Sequence, residues 1–208
     1  MLSTLAPHLS EQLAAHLSYT LAAVVLSIVV ALPLGYLGAR AKLGGPALLI
    51  LVGLLYAIPS LPMFIVVPAV FGTGLRSAAT IIIVLSIYGV AVLTRFAADG
   101  FTSVDPLVRR SARTQGMTAW QSFWCVELPL AIPVIVAGVR VMVVSTVGLV
   151  TIGTLVGIQN LGMLFTDGFQ RGIAAEIGLG IALSVALALV LDAVVVGIGK
   201  LATPWRRA

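Results

Sequence analysis

The chain has 208 residues, 60% of them hydrophobic and only 9% charged, where a soluble domain carries about a quarter of charged residues. With a mean hydropathy of +1.16, a water-soluble globule is excluded, because so few charges cannot cover its surface. The net charge of +5 does not point to nucleic acid, since the twelve Lys and Arg stand scattered at the ends of apolar runs, as membrane topology requires.

Residues 1–18 carry no basic region ahead of the first apolar run, so no cleaved signal peptide is expected. A helix needs about 20 apolar residues to cross the hydrocarbon core, and five windows qualify. The first is Leu17–Ala39, with Pro33 inside it. Leu43–Leu75 follows, holding Pro46, Pro59, Pro62 and Pro68. Ser77–Thr94 is short but sufficient. Leu128–Val150 contains one charge, Arg140, and Ile177–Gly199 contains one, Asp192. The windows predict an all-α membrane protein, one transmembrane domain over residues 1–208. Its spans fall near 17–39, 46–72, 77–94, 128–150 and 176–199.

Lysines and arginines orient these spans. With the N-terminus outside, the cytoplasmic segments hold Arg40, Lys42, Arg95, Arg109, Arg110, Arg113, Lys200, Arg206 and Arg207. The external segments hold only Arg76 and Arg171. The C-terminus and the loop at about 104–127 are then cytoplasmic.

That loop has the chemistry of two short helices. Asp105 before Pro106 is an N-cap with proline at the first helical position. Gly116 can take the left-handed conformation that ends a helix, and Thr118 with Gln121 has capping-box spacing. Trp120, Phe123, Trp124 and Glu127 are expected on one face of the second helix, and Pro129 leads into the fourth span. Helix chemistry alone makes this an amphipathic connector at the membrane surface.

Its spacing says more. Ser111-Ala112, Gly116 and Val126-x-Leu128-Pro129 resemble the E-A-A-x3-G-x9-I-x-L-P signature of ABC importer permeases. Gly116, Leu128 and Pro129 match in register, while Arg110, Ser111 and Val126 stand where the family has Glu, Ala and Ile. Further stretches, "LYAIPSLPMFIVVPAVFGTG" and "TIGTLVGIQNLGMLFTDGF", resemble the permease subunits of glycine betaine/carnitine/choline (osmoprotectant) importers. Gln159-Asn160-Leu161-Gly162 replaces the G-G-L-G of those relatives. The resemblance implies a bacterial inner-membrane subunit, half of a dimeric pore built with an identical or homologous second permease. It further implies a cytoplasmic ABC ATPase, which binds ATP and Mg, and an extracytoplasmic substrate-binding protein. By the same resemblance the loop is a coupling helix seated in the ATPase, carried by Arg110, Ser111, Ala112, Gly116, Met117, Thr118, Val126, Leu128 and Pro129.

No catalytic centre is expected in the chain itself. Its only lysines, Lys42 and Lys200, belong to no phosphate-binding G-x-x-x-x-G-K-[ST] loop. His8 and His16 have no Cys or acidic cluster nearby, which argues against a metal site and for a place on a helix face near the outer surface. Cys125, the single cysteine, is an inert thiol.

A pathway remains. Prolines at 33, 59, 62 and 68 remove backbone donors, and broken helices are tolerated at membrane depth where they face protein or a wet cavity. Tyr56, Pro59, Ser60, Pro62, Phe64, Ser86 and Tyr88 are the candidates to line it; packing kinks and core aromatics are the alternative. Aromatic faces attract quaternary ammonium groups. Gly153–Gly172 reads as a broken, re-entrant or interfacial stretch on the outer side, near which the external binding protein would dock, or as an ordinary loop. Arg140 and Asp192 lie at similar depth, roughly 12–17 Å from the inner side at a rise of about 1.5 Å per residue. They form a pair, or else the arginine snorkels and the aspartate meets water or a proton. The reading is thus the permease subunit of an ATP-driven importer of compatible solutes such as glycine betaine, carnitine, choline or proline. A permease for methionine or another small amino acid, and a passive channel or scaffold, are the other two.

Overall fold

The computed structural model describes residues 2–41 and 43–207. Lys42 lies outside the described residues, as do the side chains of Arg206 and Arg207. Among the described residues all regular structure is helical.

Helix α1 runs over Leu2–Arg40. Its 39 residues reach roughly 58 Å at 1.5 Å per residue, well beyond the apolar window that opens at Leu17. Pro33 lies inside it without breaking it, contrary to the expected interruption. The reason is tertiary: α1 lies along α4 (Ala78–Thr102) in the most extensive helix contact of the molecule. The two backbones approach closely. A Cβ on Gly35 would stand 2.9 Å from the Thr94 carbonyl oxygen and the Ala98 nitrogen of α4, so only glycine fits there.

The second span is not one straight helix. Helix α2 (Gly45–Leu54) passes through a 3₁₀ turn at Leu55–Ala57, and α3 (Ser60–Phe71) leaves at 109° to it. Pro59 causes the break. It has no amide donor and pushes the preceding residue to extended backbone; Ile58 has ψ 128° and Pro59 ψ 138°. Pro62 and Pro68 stay within α3.

Ser77 caps α4, its Oγ accepting from the Thr80 amide at 3.2 Å. The helix runs past Thr94 to Thr102, further than its hydropathy window. Arg95 and Asp99, an exposed pair at 3.4 Å, end the apolar run but are good company for each other one turn apart on a helix.

Two short helices follow, α5 (Pro106–Thr114) and α6 (Ala119–Ser122), then a π-helical turn at Phe123–Glu127 that leads into α7 (Leu128–Val150). A 3₁₀ stretch at Thr151–Val156, α8 (Met163–Arg171) and α9 (Ala174–Ala202) complete the chain, with a last 3₁₀ turn at Pro204–Arg207. Among the described residues four helices are long and apolar enough to span a membrane, or five spans if the bent α2–α3 pair is counted as one. Helix α4 is the centre. Its Ile81, Val84, Leu85 and Tyr88 pack with Phe64 and Val67 of α3; Leu93, Ala97 and Phe101 pack with α1 and α7.

Candidate functional site

The loop between α4 and α7 is built by its caps. Asp105 Oδ1 accepts from the Leu107 amide at 2.7 Å, satisfying a donor that a helix start leaves open. At the other end of α5, the Met117 amide donates to Ala112 O at 3.2 Å and the Gly116 amide to Arg113 O at 3.0 Å. This paired closure needs a left-handed residue, and Gly116 supplies it at φ 82°. Thr118 opens α6 with a full capping box: Gln121 N to Thr118 Oγ1 at 3.2 Å, Thr118 N to Gln121 Oε1 at 2.9 Å.

Only Ala112 is buried in α5. Arg110, Ser111, Gly116 and Thr118 are exposed, and Met117, Val126, Leu128 and Pro129 are half-buried. Leu107, Val108, Trp120 and Trp124 add exposed apolar surface, so the loop offers a mixed cationic and apolar face. The aromatic rings form a cluster, with Trp120–Trp124 at 5.4 Å and Phe123–Trp124 at 5.1 Å. Glu127 does not share their face. The π-helical turn inserts an extra residue into the helical register, and Glu127 turns inward to 5% exposure.

There it meets residues that sequence reasoning missed. Arg40, the last residue of α1, forms an ion pair with Glu127, and Ser122 Oγ donates to the same carboxylate at 3.2 Å. The available signal was a lone acid in an aromatic run and a cation ending the first window.

At the bend, Tyr88 Oη donates to Ile58 O at 2.5 Å. This carbonyl precedes proline and lies between two helices, so the side chain satisfies an acceptor the backbone leaves free. Tyr56 meets the Tyr88 ring edge-on at 5.9 Å and is half exposed. Pro59 and Pro62 are exposed and Ser60 half-buried. Two other candidates belong to the packed core instead of an opening. Phe64 is 1% exposed among α3 and α4 side chains, and buried Ser86 donates to Ile82 O at 2.6 Å. Their helix faces point at α1 and α4, which sequence polarity does not reveal.

Arg140 and Asp192 meet. Nε donates to Oδ1 at 2.7 Å and Nη2 to Oδ2 at 2.8 Å, the two parallel bonds that suit a guanidinium and a carboxylate. They join α7 to α9.

On the opposite side, Asn160 is fully buried and folds its own loop. Nδ2 donates to Ile158 O at 3.1 Å, and Oδ1 accepts from the Gly162 amide at 2.7 Å. His16 lies on a face of α1 turned inward: it is buried against α7, with Nε2 3.1 Å from Val147 O. His8 is exposed. No group of three potential metal ligands occurs among the described residues.

Residues 23–207 match the family of binding-protein-dependent transport system inner membrane components. The chain is 34% identical over 182 residues to the osmoprotectant import permease protein OsmW of Salmonella typhimurium, covering 85% of this chain and 83% of that one. It is 34% identical over 180 residues to the glycine betaine/carnitine/choline transport system permease protein OpuCD of Bacillus subtilis, covering 86% and 76%. A solved structure of the MetNI methionine ABC transporter superposes with a TM-score of 0.85, at 20% identity, over 98% of this chain and 100% of that one; this likeness is one of fold. The chain therefore belongs to the binding-protein-dependent transport system inner membrane components, and is a multi-pass ABC transporter permease subunit of the inner membrane.

Proposed function

We propose that this permease carries compatible solutes of the glycine betaine, carnitine, choline or proline kind into the cell, as one half of a dimeric pore. The relatives named for osmoprotectant and glycine betaine/carnitine/choline transport support the cargo. A methionine cargo has only the fold likeness behind it.

The mechanism follows from two states. ATP and Mg bind a cytoplasmic partner ATPase, which closes on nucleotide, and a ligand that favours one state shifts the population toward it. The α5–α6 loop is the contact on this chain, with Arg110, Ser111, Ala112, Gly116, Met117, Thr118, Val126, Leu128 and Pro129 shaping or presenting it. Its movement alternates the pathway at the α2–α3 bend between inward and outward openings. An external binding protein delivers the solute on the side of Asn160 and α8, and the N-terminus is outside. Tyr56, half exposed and backed by the buried Tyr88 ring, offers ring surface past which a quaternary ammonium group can move.

The observation that carries this reading is the cap-defined loop: a left-handed Gly116 between two short helices, an exposed cationic and apolar face, and the family spacing to Leu128-Pro129. Reconstitution with its ATPase and binding protein tests it. Glycine betaine, carnitine or choline uptake should require ATP and the binding protein. Uptake of methionine alone moves the cargo, and solute flux without ATP makes the chain a passive channel.

A further inference from the structure

Resting on the coupling-loop reading, we propose that Arg40 and Glu127 form the joint through which movement of the α5–α6 loop reaches α1, and through α1 the bend of the second span. The Glu127 carboxylate is 6% exposed and the Arg40 side chain 29%. With the Glu127 side chain withdrawn from solvent, breaking the pair strands a buried carboxylate, which is costly.

Their position gives the pair its role. Glu127 ends the π-helical turn and immediately precedes α7. A displacement of α6 relative to α7 must therefore pass through the backbone that carries this carboxylate. Single π turns inside a helix mark places where register is already disturbed. Arg40 is the terminal residue of a long helix, so a pull on its side chain acts on the end of a rod. The contact is also supported laterally. The guanidinium lies 5.3 Å over the Tyr36 ring, and Tyr36 meets Phe123 edge-on at 4.9 Å. Charge and aromatic contacts both tie the end of α1 to the turn after α6.

From α1 the connection continues through side-chain hydrogen bonds. Ser27 Oγ donates to Ser86 O of α4 at 3.3 Å, and two residues on, Tyr88 holds Ile58 O at the break. The elements from loop to bend are thus in unbroken contact: Glu127, Arg40, α1, α4, Tyr88, Ile58. Contact by itself does not establish energetic coupling, so the pair is assigned as a positioning device whose test is energetic.

The test uses the full permease assembled with its ATPase and binding protein in proteoliposomes, with labelled glycine betaine as the probe. Uptake per ATP hydrolysed is compared in Arg40→Gln, Glu127→Gln, the double neutral variant and the swap Arg40→Glu/Glu127→Arg. Uptake per ATP should fall by up to about tenfold in the neutral variants, in line with coupling energies along connected networks, and the swap should regain at least half of that loss. A single variant can fail to insert because one charge is stranded; the double neutral variant strands none and decides the matter. Wild-type uptake per ATP in that variant overturns the proposal, and so does its failure to insert, which would assign the pair to folding alone.

A readout independent of cargo uses spin labels on native Cys125, which is exposed, and on Leu37→Cys. Their separation should stay constant between nucleotide-free and ATP-trapped states, and change between those states in the double neutral variant. Equal behaviour in both proteins overturns the joint. The underlying reading is checked apart from this: a cross-link from Met117→Cys to the ATPase should form in the parent protein. Its absence removes the coupling loop, while a normal cross-link with unchanged coupling removes only the joint.

Discussion

Two of the regions that interrupt the long helices are held in opposite ways. The α5–α6 loop is fixed by its own neighbours in sequence: Asp105 with Leu107, Gly116 and Met117 with Arg113 and Ala112, Thr118 with Gln121. The bend between α2 and α3 has a proline that breaks the helix but little local chemistry to set its shape. A side-chain anchor comes from Tyr88, 30 residues away in the chain. A locally capped loop can be displaced as a preformed unit, which suits a part that docks. A bend anchored by a distant hydroxyl changes when α4 shifts, which suits a part that opens and closes.

The largest effect should come from the left-handed position in the loop. Nothing lies within 4 Å of where a Gly116 Cβ would point, so the obstacle to a side chain is backbone conformation alone. A β-branched residue at positive φ is a genuine misfit. Gly116→Val should leave the protein inserted, since the site is exposed, while stimulation of ATP hydrolysis by loaded binding protein disappears. Normal stimulated hydrolysis and uptake would place coupling elsewhere.

The intramembrane pair gives the next largest effect and separates the loop from the helices it drives. Arg140→Leu or Asp192→Leu leaves one unpaired charge facing lipid or protein, which is costly, and the folded yield should fall. The double change to leucine should recover much of the yield, because neither charge is then stranded. Yield measured by detergent size exclusion checks this, and additive losses would mean that the two residues act separately.

These cases show which features can be read in a sequence. Caps and left-handed glycines act over three or four residues, so Asp105, Thr118, Gln121 and Gly116 were legible without a structure. The Arg140–Asp192 pairing was suggested by depth, since two isolated charges in neighbouring apolar windows have few partners. Phe64 and Ser86 were misplaced because composition does not say which face of a helix meets a neighbour. Pro33 was overread for the same reason: contacts with α4 outweigh one missing hydrogen bond. Arg40 and Glu127 are 87 residues apart in sequence, and the π turn that turns Glu127 inward has no sequence signature.

A smaller effect should follow from the anchor of the bend. Tyr88→Phe keeps the ring against Tyr56 and removes only the hydroxyl, leaving Ile58 O without its donor. The loss of one such bond costs about 1 kcal/mol, too little to unfold a span. Thermal stability should fall slightly, while cysteine accessibility at Ser60→Cys rises as the bend loosens. Unchanged accessibility would mean that the Pro59 backbone alone fixes the angle, making the bend as locally determined as the loop.

The smallest effect belongs to the capping box, and it probes the other side of the comparison. Thr118→Ala deletes the acceptor of the Gln121 amide, and an N-cap of this kind contributes typically about 1 kcal/mol. Helix α6 is only four residues long and cannot sustain itself by propagation. However, it continues directly into the π turn and α7, and its ring cluster and the Glu127 contact hold it from behind. The cost should therefore appear as local opening, not as global instability. Hydrogen exchange should quicken at Gln121 and Ser122 while the amides of α7 keep their protection. The ratio of uptake to hydrolysis should drop less than in Gly116→Val, because the left-handed turn that sets the angle between α5 and α6 is intact. Equal losses in the two variants would show that the loop is held by the integrity of α6, and that the angle set at Gly116 is not what the partner feels.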